Sequence, residues 1–506
     1  MGKKDNFIYI KRKIKIMCGI GAIIGKTTNQ EIKKLLNPVV HRGEKNFEIE
    51  VFASMGLGTN RLPIVDGKNG KQPKFNEDKT ICAVMNGEIF NYKDLRNRLE
   101  NKGHKIETNN DTEILPHLYE EYGEKFVEHI DSEMFSIIIF DVAKDNFVVA
   151  RDPLGVKPLY FSKVKGKLIF ASEAKQLTQF KNISKIKIFP PGNTFNGKKF
   201  KKYYELPNKL TDQSKKEEIS KVYKLLEESV KKRIPFKLKL GILLSGGLDS
   251  SAILTIAKKY TDNIEAFIVG TNNSIDLKYA VSLCKKLKIN YKIIIPQNPK
   301  LKDLDNLVKI TETNELNTIM HSWVAYLACK EMKKNKIKVA LTGEGADELF
   351  GGYSEFKKIS IEKNHKARKL LTEDLHLTQL PRLDRTSMAF TIEMRSPFLD
   401  TGLVNKALKL EDSNYGEHST KGILKEALKD ILPIEIIKRE KMPFSSGAGI
   451  FVGDKEFPEE NVFLNLKQGN KKINLKKYVN KIYNSLLFNK IVAERAINKE
   501  NLISHI

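Results

Sequence analysis

The sequence predicts two domains of different fold class: an α+β sandwich followed by a doubly wound parallel α/β sheet with added helices. Three observations lead to this prediction. The chain has 506 residues, which is more than one hydrophobic core ordinarily serves. Its first half contains short apolar runs punctuated by Gly, Asn and Asp. Its second half alternates strand-like and helix-like segments, a pattern typical of parallel sheets covered by helices.

In the first half, apolar runs predict strands, and two periodic segments between them, 91–102 and 111–122, predict helices. Asp111 stands where a helix N-cap would lie. Strands and helices mixed in this way indicate stacked layers, an αββα arrangement. The predicted strands are 20–24, 47–52, 81–85, 135–140 and 147–150.

In the second half, helices and strands are predicted in alternation, with a mostly helical chain after Gly352. The order is helix 217–232, strand 240–244, helix 251–260, strand 265–269 and helix 276–287. A polar stretch marks the linker between the domains. The predicted division is an N-terminal extension at 1–16, a first domain at 17–206, a linker at 207–216, a second domain at 217–455 and a helical tail at 456–506.

Composition excludes several classes of protein. Apolar residues make up 41% and charged residues 30% of the chain, which suits folded domains and not a disordered polymer. No apolar run is long enough to cross a bilayer, and the first sixteen residues do not form a secretory signal. The net charge of +26 comes from lysines spread along the whole chain, so nucleic-acid binding is not favoured.

The four cysteines, Cys18, Cys82, Cys284 and Cys329, are widely spaced. That spacing does not suggest a disulfide framework, and without a CxxC pair it supports no cysteine zinc or redox motif. A reducing, cytoplasmic location is therefore expected.

Cys18 is the exception, because it follows Met17 directly and precedes a strand. Removal of Met17 would make Cys18 the first residue, and its free α-amine could then act as general base for the thiol. The extension at 1–16 must be absent or removed for that chemistry. Downstream, Arg61 offers a cation for a carboxylate, Asp111 an anion for an ammonium, and Asn86 with Gly87 two N–H donors for an oxyanion.

These residues, taken in this order, resemble the class II glutamine amidotransferase domain, whose fold is of the N-terminal nucleophile type. The resemblance implies that Cys18 is the nucleophile, that Asn86 and Gly87 form the oxyanion hole, and that glutamine is contacted by Arg61, Asn86, Glu88 and Asp111.

The string Ser-Gly-Gly-Leu-Asp-Ser at 245–250 follows an apolar strand and precedes a helix. Its glycines let the backbone approach phosphate oxygens, and the helix N-terminus favours an anion. It lacks the Lys of a Walker A loop and instead resembles the PP-loop of enzymes that split ATP between its α and β phosphates. A second loop at 342–353 begins Thr-Gly-Glu-Gly-Ala-Asp-Glu. Asp249 and Asp347 together could hold Mg²⁺.

The resemblance to PP-loop synthetases implies further roles. It places Glu344 as an acid that assists ammonia attack and Lys441 as the cation that neutralises the reacting phosphate. It implies that ATP is contacted by Leu244, Ser245, Gly246, Gly247, Asp249, Ser250, Val269, Thr342 and Gly343.

Both halves together resemble the asparagine synthetases. That family implies a cytoplasmic ligase of amino-acid biosynthesis, with glutamine, aspartate and ATP as substrates, Mg²⁺, and a homodimer. Three alternatives stay open. The first is an ammonia-dependent synthetase with a dead glutaminase. The second is a relative that activates another carboxylate, such as a β-lactam synthetase. The third is a tRNA-modifying PP-loop enzyme, which would need catalytic cysteines in its second domain.

Overall fold

Two antiparallel sheets of six strands each form the first half of the protein. The computed structural model describes residues 19–43, 47–60, 70–208, 215–358, 360–410, 420–439, 467–468, 471–472 and 475–486. The strands of this half are β1 (Gly19–Ile24), β2 (Glu48–Val51), β3 (Met55–Asn60), β4 (Lys74–Phe75), β5 (Ile81–Gly87), β6 (Phe135–Asp141), β7 (Asn146–Arg151), β8 (Tyr160–Val164), β9 (Lys167–Ala171), β10 (Lys187–Ile188), β11 (Asn193–Phe195) and β12 (Phe200–Lys202). Its helices are α1 (Asn29–Leu36), α2 (Tyr92–Glu100), α3 (Ile114–Tyr122) and α4 (Ala174–Leu177).

These elements stack in four layers, as the sequence predicts. The first sheet has the order β10-β8-β9-β1-β3-β2 and the second the order β12-β11-β7-β6-β5-β4. Side chains alternate along each strand, so each sheet has two apolar faces. Along β5, Cys82 and Val84 point into the core between the sheets, whereas Ala83 and Met85 pack with α2 and α3. On the far side of the first sheet, α1 and α4 complete the fourth layer.

One boundary prediction is wrong. Asp111 is not a helix N-cap, because the side chain of Asn110 fills that position by accepting a hydrogen bond from the Thr112 backbone N–H. Asp111 begins a short 3₁₀ turn, Asp111–Glu113, that leads into α3. Its carboxylate Oδ2 accepts instead from the backbone N–H of Ile89, 3.0 Å away. Asn110 and Asp111 are both residue types that cap helices, and in the structure Asn110 is the cap.

The second half contains a parallel sheet of five strands in the order β15-β14-β13-β16-β17. Its elements are α5 (Lys215–Lys232), β13 (Leu240–Leu243), α6 (Leu248–Lys258), β14 (Ile264–Val269), α7 (Ile275–Leu287), β15 (Asn290–Ile294), α8 (Leu301–Thr311), α9 (Leu316–Lys334), β16 (Val339–Leu341), α10 (Ala346–Phe350), α11 (Ile361–Glu373), α12 (Gln379–Met388), β17 (Glu393–Arg395), α13 (Thr401–Leu408), α14 (Gly422–Leu428) and α15 (Ile434–Ile437).

Helices cover both faces of this sheet, which makes it doubly wound. On β14, Ala266 and Ile268 pack with α5, α6 and α7, whereas Phe267 and Val269 face α9 and α12. In the predicted tail, β18 (Lys467–Gln468) pairs with β19 (Lys471–Lys472), and α16 (Leu475–Ser485) packs against α8. No helix in the described ranges combines the length and the apolar character needed to span a bilayer.

The two halves meet through buried charged groups. Arg42 of the first half is fully buried. It donates to Glu173 of the same half and to Asp384 of the second half, each at 2.7 Å. In return, Glu312 of the second half accepts from the backbone N–H groups at the start of α4, at 3.0 Å from Ala174 and 2.7 Å from Lys175. Buried charges are stable only when paired in this way, so these pairs fix how the halves dock.

Candidate active sites

The start of β1 is held in place by two side chains. The backbone N–H of Gly19 donates to Oδ1 of Asn60 at 2.8 Å, and that of Ile20 donates to Oγ of Ser172 at 2.9 Å. Gly19 has no room for a side chain, since a Cβ there would lie 2.8 Å from the Asn60 oxygen. The segment that carries the predicted nucleophile therefore joins a rigid anchor.

Cys18 and Arg61 themselves lie outside the described residues. Gly19, which follows Cys18, and Asn60, which precedes Arg61, lie side by side, because they are paired in the antiparallel register of β1 and β3. The chain before Gly19 and the chain after Asn60 therefore leave the sheet at the same end.

The predicted oxyanion donors lie at the end of β5. Asn86 is buried, and its side-chain Nδ2 has no hydrogen-bond partner among the described residues. A buried amide without a partner is costly, so such a donor often marks a site for a ligand. Gly87 next to it has a φ of 142°, and a Cβ there would lie 1.9 Å from the carbonyl oxygen of Met134. Only glycine fits this position.

Glu88 contacts the second half of the protein, which the sequence does not predict. Its carboxylate is ion-paired with Arg395 of β17 in the second half. Its backbone N–H donates to Met134 O at 2.9 Å, and its carbonyl accepts from Ser132 Oγ at 2.6 Å. These contacts make Glu88 a link between the two halves, and its contact with glutamine stays a prediction. Burial raises the pKa of Glu88 to about 8.

The second predicted site lies where the strand order of the parallel sheet reverses. β13 is flanked by β14 on one side and β16 on the other, and the strand order runs outward from β13 to β14 and β15 before it returns to β16 and β17 on the other side. In open α/β sheets, ligands bind at such a switch point, beyond the carboxyl ends of the strands. Both predicted ATP loops, 245–250 and 342–353, begin there.

The first loop is built tightly. Gly246 has a φ of 70°, and a Cβ there would lie 2.6 Å from the backbone nitrogen of Ala280. The hydroxyl of Ser250 accepts from the backbone N–H of Ser245 at 3.2 Å, and Ser245 Oγ accepts from Gly247 N–H at 3.3 Å. The loop is therefore closed upon itself at the N-terminus of α6, where an anion is favoured.

The second loop packs directly on the first. A Cβ on Gly343 would lie 2.8 Å from Cβ of Asp249. Thr342 is fixed by its backbone N–H, which donates to the carbonyl of Arg395 at 3.0 Å. Leu244 directly follows β13, and Val269 is the last residue of β14. Both side chains are buried, so what they offer to a nucleotide is their backbone.

Asp249 and Asp347 are brought together, and a lysine lies between them. Nζ of Lys421 is 2.7 Å from Oδ2 of Asp249 and 2.6 Å from Oδ1 of Asp347. Lys421 is 4% exposed on its side chain. The two carboxylates thus share one small space and provide the oxygen ligands that Mg²⁺ prefers. The stretch 419–425 resembles the same family, but the sequence gives Lys421 no individual role, since one lysine is hard to distinguish among the 88 lysines and arginines of the chain.

Two further predicted residues have contrasting outcomes. Glu344 is described, and Arg382 of α12 holds its carboxylate at 2.8 Å. Lys441 lies outside the described residues. Two residues before it, Arg439 is ion-paired with Asp276 and lies 4.9 Å from the centre of the Tyr279 ring. Asp276 and Tyr279 belong to α7, which also touches Gly246, so the chain approaching Lys441 is anchored beside the first ATP loop.

Comparisons with known proteins agree with this arrangement. A family profile described as "Glutamine amidotransferase domain" matches residues 17–228, and one described as "Asparagine synthase" matches residues 221–375 and 361–462. "Asparagine synthetase [glutamine-hydrolyzing] 1" of Arabidopsis thaliana is 33% identical over 479 residues, covering 88% of this chain and 81% of that protein. The chain belongs to the glutamine-hydrolysing asparagine synthetases. A relative of Sandersonia aurantiaca with the same family name is 32% identical over 86% of this chain and 87% of its own length.

Membership in the asparagine synthetases confirms the resemblance drawn from the motifs and disfavours the third alternative. Sulfur transfer by a PP-loop enzyme needs a reactive thiol in the second domain. Cys284 on α7 and Cys329 on α9 are both buried, and burial raises the pKa of each thiol to about 12. Thiols with so little thiolate are poor nucleophiles.

Proposed function

We propose that this chain forms asparagine from aspartate, using ATP for activation and glutamine as the nitrogen donor. The observation that carries the proposal is the presence in one chain of two loop sites connected through Arg395. Its guanidinium pairs with Glu88, next to the oxyanion donors, and its carbonyl holds Thr342 of the ATP site. A carboxylate must be activated before ammonia can displace an oxygen from it, which explains why the amidotransferase half is joined to an ATP site.

At the first site, the thiol of Cys18 attacks the amide carbon of glutamine, with its own α-amine as base. Asn86 Nδ2 and the Gly87 N–H stabilise the oxyanion that forms. Collapse of this intermediate releases ammonia and leaves a thioester, which water hydrolyses to glutamate. The guanidinium of Arg61 and the carboxylate of Asp111 hold the charged ends of glutamine. The buried Asn86 donor supports the oxyanion role.

At the second site, an aspartate β-carboxylate oxygen attacks the α-phosphorus of ATP and displaces pyrophosphate. Ammonia then attacks the β-aspartyl adenylate and AMP leaves. The PP-loop backbone binds the phosphates, Lys421 and Lys441 neutralise their charge, and Glu344 assists the attacking ammonia. Asp249 and Asp347 would hold Mg²⁺, which when bound offsets phosphate charge. The shared space of these two carboxylates beside Lys421 supports this assignment.

Several finer statements stay predictions. They are the domain boundaries at 206 and 217, the N-terminal nucleophile fold type, transfer of ammonia through the interior, a cytoplasmic location and a homodimer. An ammonia-dependent enzyme is the second candidate, and the observation that favours it is the sixteen-residue extension before Met17.

The decisive experiment uses glutamine labelled with ¹⁵N in its amide, together with aspartate, ATP and Mg²⁺. We expect labelled asparagine, AMP and pyrophosphate in equal amounts. A Cys18→Ala variant should make no labelled asparagine from glutamine but should still make asparagine from ammonium salts. Release of ADP instead of AMP, or labelled product from the variant, would overturn the proposal.

The intact mass and N-terminal sequence of the same preparation separate the two candidates. A chain that begins at Cys18 should use glutamine. A chain that keeps the extension and uses only ammonia would establish the second candidate instead.

A further inference from the structure

A cluster of two histidines and two glutamates lies in the first half of the protein, away from both candidate sites. Its members are Glu77 in the turn after β4, His104 after α2, and His117 and Glu120 on α3. His117 and Glu120 are three residues apart and so share one face of their helix. The four ligand atoms all lie within 4.8 Å of one another. We propose that these four side chains form a binding site for a divalent transition-metal ion of the zinc type.

The distances between the ligand atoms match a tetrahedral ion. Nδ1 of His104 is 3.2 Å from Nδ1 of His117, 3.5 Å from Oε1 of Glu77 and 3.9 Å from Oε2 of Glu120. Oε2 of Glu77 is 3.3 Å from Nδ1 of His117. Zinc bonds of about 2.0–2.1 Å in a tetrahedron place ligand atoms about 3.3 Å apart. The cluster must therefore contract when an ion binds, because its ligand atoms spread over as much as 4.8 Å.

Three of the four ligands, His104, Glu77 and Glu120, are oriented by hydrogen bonds from surrounding groups, whereas Nε2 of His117 has no partner among the described residues. Nε2 of His104 lies 3.1 Å from the carboxylate of Glu121, which holds the proton on that nitrogen and turns the Nδ1 lone pair toward the cluster. A carboxylate, backbone carbonyl or water in this position orients almost every metal-binding histidine. Oε1 of Glu77 accepts from the Lys105 backbone N–H at 2.6 Å. Oε2 of Glu120 accepts from Asn76 Nδ2 at 3.2 Å.

Charge and accessibility also fit. Two carboxylates and two neutral imidazoles carry a charge of −2, which a divalent ion neutralises. The side chains of His117 and His104 are 1% and 10% exposed, whereas Glu77 and Glu120 are 35% and 41% exposed. The imidazoles thus form a rigid floor, and the carboxylates leave a path for the ion from solvent. Imidazole and carboxylate together suit zinc better than magnesium.

A bound ion would tie three segments together: the turn after β4, the chain after α2, and α3. The same α3 follows the turn that holds Asp111. The site would therefore stabilise the wall of the amidotransferase half without touching its substrate. This inference is independent of the proposed function.

The test is titration of the full-length protein, stripped with a chelator, with Zn²⁺ in competition with a chromogenic chelator. It is made in a Cys18→Ala background, so that the thiol of the predicted nucleophile cannot take the ion. We expect one equivalent to bind, and His104→Asn to abolish that binding. Glu121→Gln keeps all four ligands and should weaken affinity about 10–100-fold, the usual effect of losing an orienting partner. His129→Asn, a histidine of the same half stacked on Tyr122, is the matched control and should bind as the parent does.

Co²⁺ supplies a second readout that does not depend on the variants folding well. The parent should give the visible spectrum of a tetrahedral ion with nitrogen and oxygen ligands and no thiolate charge-transfer band. Zinc binding that is unchanged in both His104→Asn and Glu121→Gln would overturn the proposal. So would a parent that binds no zinc, or one whose cobalt spectrum is octahedral.

Discussion

The guanidinium of Arg395 is ion-paired with the carboxylate of Glu88, and this pair joins the two halves of the molecule. The side chain of Arg395 is 1% exposed and that of Glu88 is 14% exposed. Arg395 also holds Glu393 of its own strand at 2.8 Å, so one cation serves two acidic groups. Since β17 neighbours β16 in the sheet, a shift of Arg395 would be felt at Thr342 in the ATP site.

Arg395→Met should destabilise the protein strongly. It leaves the buried carboxylate of Glu393 without its cation, and breaking a buried pair typically costs about 3–5 kcal/mol. Lys202→Met removes a pair of exposed groups, Lys202 and Glu205, and should change stability by less than about 1 kcal/mol. Urea unfolding measures both. Adding Glu393→Gln to Arg395→Met should recover part of the loss, because it removes the carboxylate left without a partner. Equal losses of unfolding free energy in Arg395→Met and Lys202→Met would contradict this account.

Stability should fall as pH rises toward 8, in part because of Glu88. Burial raises the pKa of Glu88 from its ordinary 4.5 to about 8, so between those values the folded state keeps a proton that the unfolded chain has released. The stability that protonated Glu88 contributes to the folded state is fully present below pH 4.5 and is lost as the pH rises through about 8. Glu88→Gln should flatten the profile of unfolding free energy against pH in this window. Burial also raises the pKa of Asp152, to about 7, so some slope should persist. A profile identical to that of the parent would contradict the assignment.

Asn86→Ala should separate the two activities. Loss of one oxyanion donor typically lowers kcat by about 10²–10³-fold, and this loss should affect glutamine-dependent synthesis only. Synthesis from ammonium salts should stay within about twofold of the parent, well under the tenfold that 1.4 kcal/mol represents. Because Nδ2 has no partner among the described residues, the variant should unfold at the same temperature or higher. Asn101→Ala, at the C-terminal end of α2, is the control. A fall in both activities would point to misfolding instead.

Lys421→Met should have the opposite pattern. Asp249 and Asp347 would lose the cation between them, and hydrogen bonds to charged groups contribute about 1.5–3 kcal/mol each. We therefore expect ammonia-dependent kcat/KM to fall about 10–150-fold while glutamine hydrolysis continues. Lys429→Met, which removes a lysine paired with Glu426 at the exposed surface, should leave both activities unchanged. Full synthesis activity in Lys421→Met would exclude Lys421 from the ATP site.

The phosphate loop was predictable from sequence because its geometry is local. Gly246 needs a positive φ, Ser245 and Ser250 hydrogen-bond within six residues, and the strand and helix on either side are read from their apolar patterns. The layered first half followed for the same reason, since the alternation of side chains on β5 already specifies two apolar faces.

Interactions between distant charged residues were not predictable. Glu88 and Arg395 are 307 positions apart, and Lys421 lies 172 positions from Asp249. Charged side chains carry no periodic pattern, and their partners depend on where separately folded layers come to rest.

The sequence by itself determined the two fold classes, the phosphate loop and the family. Each of these depends on spacing along the chain, which short-range sterics and hydrophobic periodicity turn into structure. The tertiary structure alone decided that Asn110 and not Asp111 caps its turn, that Glu88 faces the second half, and that His104 meets His117. Those outcomes depend on the docking of whole elements, because a buried charge or donor is stabilised only by the partner that packing brings to it.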